Sequence, residues 1–265
     1  MVEPVKKHQL ALFGHPVAHS QSPKIHTDFA KQFGIQLTYQ LIDATDTELP
    51  YKFSEWIKHA HGCNVTVPHK KNIMPLLDHY TEKAHLAQAV NTVFWQKGEL
   101  WGDNTDGDGL ILDLKNKEVD LSEKNILIIG AGGATQGIIP SLLQQEITSI
   151  DIHNRSRKKA NALAAQFSTE RVSVAGLKMP YAYDLIIHAT SMGHQGLAPD
   201  MNPHNFHEET IAYDLSYGSA AEPFLNICKS MGVKLAYDGL GMLYGQAALA
   251  FEIWFGKKPT IKLSD

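Results

Sequence analysis

The chain has 265 residues, 43% of them hydrophobic and 20% charged, with a net charge of −4. That length supports a large core and two domains, and the slight acidity gives no general pull toward nucleic acid or an anionic membrane. The two cysteines, Cys63 and Cys228, stand in unlike contexts, so no disulfide framework is expected and a reducing cytoplasm fits.

The first residues, Met1 to Lys7, lack the apolar core of a signal segment, and no run is long enough to span a bilayer. Residues 9–13 then read as a strand, 22–33 as a helix and 37–42 as a second strand. A helix over 48–59 and a short strand over 63–67, stopped by Pro68, come next. Residues 90–95 and 99–101 form a hairpin about Gln96-Lys97-Gly98. Residues 107–117 read as a helix joining two regions. Beyond it the pattern gives a strand from Asn125, a helix to Leu143, a strand over 149–153, a helix over 156–167 and a short strand over 171–174. Strands over 184–188 and 210–215 precede a helix over 222–231. The last helix, 240–255, is apolar nearly all round and should be largely buried. Such alternation implies parallel strands with helical crossovers, in two α/β units with a small molecule expected in a cleft between them.

The stretch Asn125-Ile-Leu-Ile-Ile-Gly130-Ala131-Gly132-Gly133-Ala134 is the most informative. An apolar strand runs into close-set glycines and then a helical pattern, which is how a buried parallel strand presents a helix N-terminus to a pyrophosphate. Thr135 occupies the place of the third glycine in the usual G-x-G-x-x-G, so the turn by itself is also a plain strand–helix connection. After the next strand come Asn154-Arg155-Ser156-Arg157-Lys158-Lys159. An NAD site places a carboxylate there for the ribose 2′-hydroxyl, whereas a guanidinium fork suits the 2′-phosphate of NADP. Cations at a helix start oppose the macrodipole, and a bound anion would relieve that conflict. NADP(H) is therefore the expected cofactor.

Four polar clusters interrupt residues 14–107. In Gly14-His15-Pro16-Val17-Ala18-His19-Ser20-Gln21-Ser22-Pro23, Ser22 suits an N-cap with proline at the first helical position, whereas Ser20 has no such role. In Asn64-Val65-Thr66-Val67-Pro68-His69-Lys70, Asn64 and Thr66 share one strand face and Lys70 lies just beyond the strand end. Ala89-Val90-Asn91-Thr92 starts a strand with an amide, and Gly102-Asp103-Asn104-Thr105-Asp106-Gly107 enters a helix. Judged alone, Asp106 reads as an N-cap and Lys70 as an exposed lysine. The 14 histidines are scattered; His204 and His207 lie in a loop without metal-spaced partners, so no metal is expected.

In order and spacing these motifs resemble the shikimate 5-dehydrogenase family, from Leu12 to Phe255. The resemblance rests on Ser20 to Pro23, Asn64 to Lys70, Ala89 to Thr92, Gly102 to Gly107, Gly130 to Ala134, Asn154 to Ser156, and Asp238 to Leu243 with Gln246. It implies a substrate-binding domain formed by residues 1–105 and 240–265, and a Rossmann-like doubly wound NADP-binding domain over 106–239. The C-terminal helix would return to the first. It also implies reversible reduction of 3-dehydroshikimate to shikimate by NADPH. By that resemblance Ser20 and Ser22 bind the substrate carboxylate, with Tyr217 near it. Thr66, Asn91 and Gln246 hold hydroxyls, and Lys70 with Asp106 flanks the reacting centre. Gly130, Ala131, Gly132, Gly133, Ala134, Asn154, Arg155, Ser156 and Lys159 match cofactor positions. Thr190, Leu215, Gly239 and Met242 fall toward the nicotinamide.

Two residues depart from the family pattern. His188 replaces a common asparagine in His188-Ala-Thr-Ser-Met-Gly193, and Lys159 replaces a common arginine. The alternatives are a quinate/shikimate dehydrogenase using both NAD and NADP, a non-catalytic NADP-binding regulator, and a folate-linked dehydrogenase. An acidic residue in place of Asn154 or Arg155 would favour the first; Lys70 and Asp106 argue against the second; the Ser-x-Ser element is unexplained by the third. A monomer or homodimer fits equally well.

Overall fold

The computed structural model describes residues 7–176 and 181–262. The chain folds as two compact units, Met1–Gly109 with Tyr244–Asp265, and Leu110–Leu243.

The first unit carries strands β1 (His8–Gly14), β2 (Leu37–Asp43), β3 (Gly62–Val65), β4 (His79–Tyr80), β5 (Thr92–Gln96) and β6 (Glu99–Asp103). Their spatial order is β2-β1-β3-β5-β6-β4. β1 pairs in parallel with both β2 and β3, so the crossover expectation holds on that side. The hairpin reverses β5, which runs antiparallel to β3 and β6, and the sheet is mixed. Its turn needs left-handed backbone at Lys97 (φ 52°) and Gly98 (φ 85°), the conformation that matches strand twist in a two-residue hairpin. Helices α1 (Ser22–Gln32), α2 (Leu49–Ile57) and α3 (Glu82–Ala87) follow β1, β2 and β4. Phe13, Phe53, Ile57, Val65, Ile73 and Val93 form the core between sheet and helices.

Helix α4 (Asp106–Asn116) leads into the second unit. There β7 (Asn125–Ile129), β8 (Ser149–His153), β9 (Val172–Val174), β10 (Leu185–His188), β11 (Ile211–Asp214) and β12 (Leu235–Tyr237) form an all-parallel sheet. The order β12-β11-β10-β7-β8-β9 reverses direction between β7 and β10, as in a doubly wound fold. Helices α5 (Gly133–Leu143), α6 (Arg157–Ala164) and α7 (Glu222–Ser230) make the crossovers. Ile126 and Ile128 of β7 face one core while Leu127 and Ile129 face the other, so the strand is buried on both sides and apolar throughout.

The final helix, α8 (Leu240–Phe255), exposes only Glu252. Within the first unit it touches α4 backbone to backbone. A Cβ on Gly109 would lie 2.5 Å from the Gln246 nitrogen, and one on Gly245 would lie 2.7 Å from the Gly109 oxygen. Glycine at both places is what lets Gln246 approach Asp106 and Asn91.

Several elements differ from expectation. The strand expected over 63–67 ends at Val65, because the chain turns as His69 N–H donates to Thr66 O at 2.8 Å. The helix expected over 156–167 is α-helical only to Ala164 and closes with a 3-10 turn. β4, α3 and β12 were not anticipated.

Candidate active site

The loop after β1 brings Ser20 and Ser22 together. Ser20 Oγ donates to Ser22 Oγ at 3.1 Å and accepts from the Ser22 backbone N–H at 3.2 Å. The expected capping role for Ser22 does not hold: Gln21 occupies the N-cap position, α1 starts at Ser22, and no side chain caps it. Both hydroxyls thus stand beside backbone donors of an uncapped first turn, which suits a carboxylate. Below them, Tyr39 OH donates to Asn64 Oδ1 at 2.8 Å. Burial pushes the Tyr39 phenol well above its ordinary pKa, so it stays a neutral donor. The Asn64 amide is thereby aimed at Asn91 O (3.0 Å) and Thr92 Oγ1 (3.3 Å), fastening β2, β3 and β5 together.

Thr66, one residue past β3, is held by its N–H to Phe13 O at 2.8 Å. Among the described residues its half-buried hydroxyl has no hydrogen-bond partner. Four residues on, Lys70 Nζ donates to Asp106 Oδ2 at 2.5 Å. The lysine side chain is 22% exposed and the carboxylate 10%, so this ion pair is partly screened from water while the ammonium still reaches the surface. Asn91 is almost fully buried and donates to Asp106 Oδ1 at 2.8 Å and to Thr105 Oγ1 at 3.0 Å. Gln246 Oε1 lies 3.5 Å from the same amide. Asp106 does not cap α4. Its carboxylate takes Lys70 and Asn91, while its own N–H donates to Asn104 Oδ1 at 3.0 Å. Asn104, missed in the sequence reading, in turn donates to Ala89 O at 3.0 Å.

In the second unit the glycine turn is open where a dinucleotide would need it. Gly130 takes φ +124°, closed to other residues, and a Cβ there would meet Ala189 O at 2.8 Å. Gly132 and Gly133 have nothing within 4 Å of a built Cβ, and the N-terminus of α5 has no side-chain cap. Thr135, in the third-glycine place, is buried and donates to Gly130 O at 2.9 Å, so it locks the turn instead of blocking it. After β8, Ser156 caps α6 by accepting from Lys159 N at 3.4 Å, which leaves its hydroxyl proton to give. Asn154 donates to Ser156 O at 3.0 Å. Arg155, Arg157, Lys158 and Lys159 are all exposed, and among the described residues none is in an ion pair. These donors and unpaired cations fit a pyrophosphate and a 2′-phosphate. Thr190 and Leu215 follow β10 and β11. Gly239 packs on the Leu215 carbonyl, with a Cβ position 2.3 Å from its oxygen. Tyr217 and Met242 are half-buried. Among the described residues no cluster of side chains could hold a metal, no cysteine is paired, and no helix is long and apolar enough to cross a membrane.

Residues 12–93 match the family model described as the shikimate dehydrogenase substrate binding domain. Residues 113–217 match that of shikimate / quinate 5-dehydrogenase, and 239–263 that of the shikimate 5′-dehydrogenase C-terminal domain. The chain is 43% identical over 258 residues to the shikimate dehydrogenase (NADP(+)) of Aeromonas salmonicida, covering 95% of this chain and 93% of the relative. The chain belongs to the shikimate dehydrogenase family. Another member, shikimate dehydrogenase (NADP(+)) of Colwellia psychrerythraea, is 40% identical over 96% of this chain and 94% of its own. The crystal structure of shikimate 5-dehydrogenase from Thermus thermophilus in complex with NADP(H) and shikimate is similar with a TM-score of 0.87. It is 32% identical and covers 96% of this chain and 95% of that one.

Proposed function

We propose that this chain catalyses the reversible NADPH-dependent reduction of 3-dehydroshikimate to shikimate, a step of aromatic biosynthesis, with Lys70 as the proton donor. The observation that carries the reading is the Lys70–Asp106 contact of 2.5 Å, four residues along the chain from a Thr66 hydroxyl that has no partner among the described residues. Bound NADPH supplies the hydride that adds to the carbonyl carbon. As negative charge grows on the carbonyl oxygen, the Lys70 ammonium gives it a proton and is later reprotonated from water; in the reverse direction the amine takes the proton back. Asp106 orients the ammonium, and Asn91 fixes the second carboxylate oxygen so that the pair cannot swing.

Ser20 and Ser22 hold the substrate carboxylate with Tyr217 nearby, and Thr66, Asn91 and Gln246 pair its hydroxyls. Gly130, Ala131, Gly132, Gly133 and Ala134 carry the pyrophosphate. Asn154, Arg155, Ser156 and Lys159 bind the adenosine end with its 2′-phosphate, and Thr190, Leu215, Gly239 and Met242 line the nicotinamide side. On this reading residues 1–105 with 240–265 bind substrate and 106–239 bind NADP(H). The enzyme works as a monomer or homodimer in the cytoplasm, which its two buried free thiols suit.

An absorbance assay of NADP⁺ reduction with shikimate tests this, run beside quinate and NAD⁺. Turnover with shikimate and NADP⁺, well above that with either substitute, is the expected result. Equal rates with quinate and NAD⁺ would point to the broader enzyme, and no turnover with any pair to a regulator.

A further inference from the structure

Beside the glycine turn lies a chain of buried polar contacts that the reaction as described does not use. His188, the last residue of β10, and Asp214, the last of β11, are both 0% exposed and are register partners in the sheet. His188 Nδ1 meets Asp214 Oδ2 at 2.8 Å, and Asp214 Oδ1 accepts from Ser216 N–H at 2.8 Å. The other ring nitrogen, Nε2, lies 2.6 Å from Thr190 Oγ1. Phe224 stacks on the imidazole with centroids 4.9 Å apart. Thr190 Oγ1 also accepts from Met192 N–H at 3.3 Å.

Hydrogen-bond bookkeeping fixes the positions of both side chains. A carboxylate only accepts, so Nδ1 carries a proton toward Asp214. Nε2 and the Thr190 hydroxyl then share one hydrogen, whichever of them gives it, while the same oxygen receives Met192 N–H. The oxygen is thereby held from both sides, and the side chain with it. Its methyl is consequently pinned against the glycine turn: a Cβ on Gly130 would sit 3.2 Å from Thr190 Cγ2 and 2.8 Å from Ala189 O. β7 and β10 flank the point where strand order reverses, the place where open parallel sheets bind their ligands.

We propose that His188 and Asp214 are positioning residues for the dinucleotide: through the His188–Thr190 hydrogen bond they clamp residues 189–192 against Gly130 and so preset the nicotinamide side of the cofactor site. The inference rests on the NADP(H) reading above and adds two residues to it that never touch the ligand. Imidazole reaches Asp214 and Thr190 at once through its two ring nitrogens, which gives the histidine at this position a purpose of its own.

The test is the dissociation constant for NADP⁺, measured by titration calorimetry in the absence of substrate, together with the separate KM values for NADP⁺ and shikimate. Thr190→Val keeps the methyl and removes the bond to Nε2. It should raise the NADP⁺ dissociation constant about tenfold, the scale of one buried hydrogen bond, while the shikimate KM changes less than twofold. His188→Ala should do the same, and His188→Asn, which can still donate to Asp214, should recover part of the loss. If His188→Ala fails to fold because Asp214 is left buried and unpaired, His188→Asn carries the test: Thr190 itself lines the nicotinamide side and can lose affinity directly, so a raised NADP⁺ dissociation constant in the histidine variant supports the clamp and a wild-type value overturns it. Wild-type affinity for NADP⁺ in a folded Thr190→Val protein, or a parallel rise in both KM values, would overturn the clamp and leave the NADP(H) reading intact. A wild-type protein that binds no NADP⁺ at all would overturn both.

Discussion

Lys70 and Asn91 hold opposite oxygens of a single carboxylate, Asp106, at 2.5 Å and 2.8 Å. A carboxylate gripped at one oxygen can rotate; gripped at both, it becomes a fixed reference for the ammonium. On the proposed mechanism, the lysine then needs to lose little conformational freedom when the substrate oxygen arrives.

Lys70→Ala should therefore lower turnover at least about 100-fold, the usual scale of lost acid–base assistance, with a much smaller change in shikimate binding. Steady-state rates and a direct binding titration separate the two quantities. Near-normal turnover would remove Lys70 from the mechanism.

Thr66→Val keeps the shape of the side chain and deletes a hydroxyl that has no partner among the described residues. Among the described residues the fold loses no hydrogen bond, so thermal stability should hold. The shikimate KM should rise about tenfold, because a substrate hydroxyl would be buried unpaired. An unchanged KM would show that this hydroxyl points away from the substrate.

Much of this could be read from local pattern. The run before Gly130 is apolar because β7 is buried on both faces, and Gly130 follows because its positive φ and the close Ala189 carbonyl leave no room for a side chain. What could not be read is set by contacts across the chain. Asn91, Asp106, Lys70 and Gln246 are separated by 15 to 155 residues where they meet, and nothing periodic announces such a meeting. Ser22 satisfies every local rule for an N-cap, yet the chain enters α1 one residue earlier and leaves its hydroxyl to Ser20. β4 has two residues and β12 three, too short for alternation to register, and α3 spans less than two turns.

The cations after β8, in no ion pair among the described residues, predict a selective effect on cofactor choice. Arg155→Ala should raise the NADP⁺ KM by about 10- to 100-fold, the range for a charge-assisted hydrogen bond. The NAD⁺ KM should barely move, since NAD⁺ carries no 2′-phosphate. Added salt should weaken NADP⁺ binding in the wild type more than in the variant, because an exposed charge pair is screened. Parallel losses for both cofactors would mean that Arg155 supports the loop and not the phosphate.

His26, on the buried face of α1, offers a prediction about stability. Its ring is 0% exposed and stacks on Tyr39 with centroids 4.9 Å apart and planes 6° from parallel. Burial lowers its pKa from 6.5 to about 3, outweighing the nearby Asn64 amide, because a charged ring would have no water around it. The unfolded chain takes up a proton near pH 6.5 and the folded one only near 3. Between those values the unfolded state binds more protons, so this contribution to stability is whole above 6.5 and drains away as the pH falls toward 3. By pH 5 the loss should be about 2 kcal/mol. His26→Phe keeps an aromatic ring against Tyr39 and has nothing to protonate. Urea unfolding at pH 7.5 and pH 5 should show that difference shrinking by about 2 kcal/mol in the variant relative to wild type. Equal pH dependence in the two proteins would mean that the histidine is reached by water, and protonates, without the helix leaving the sheet.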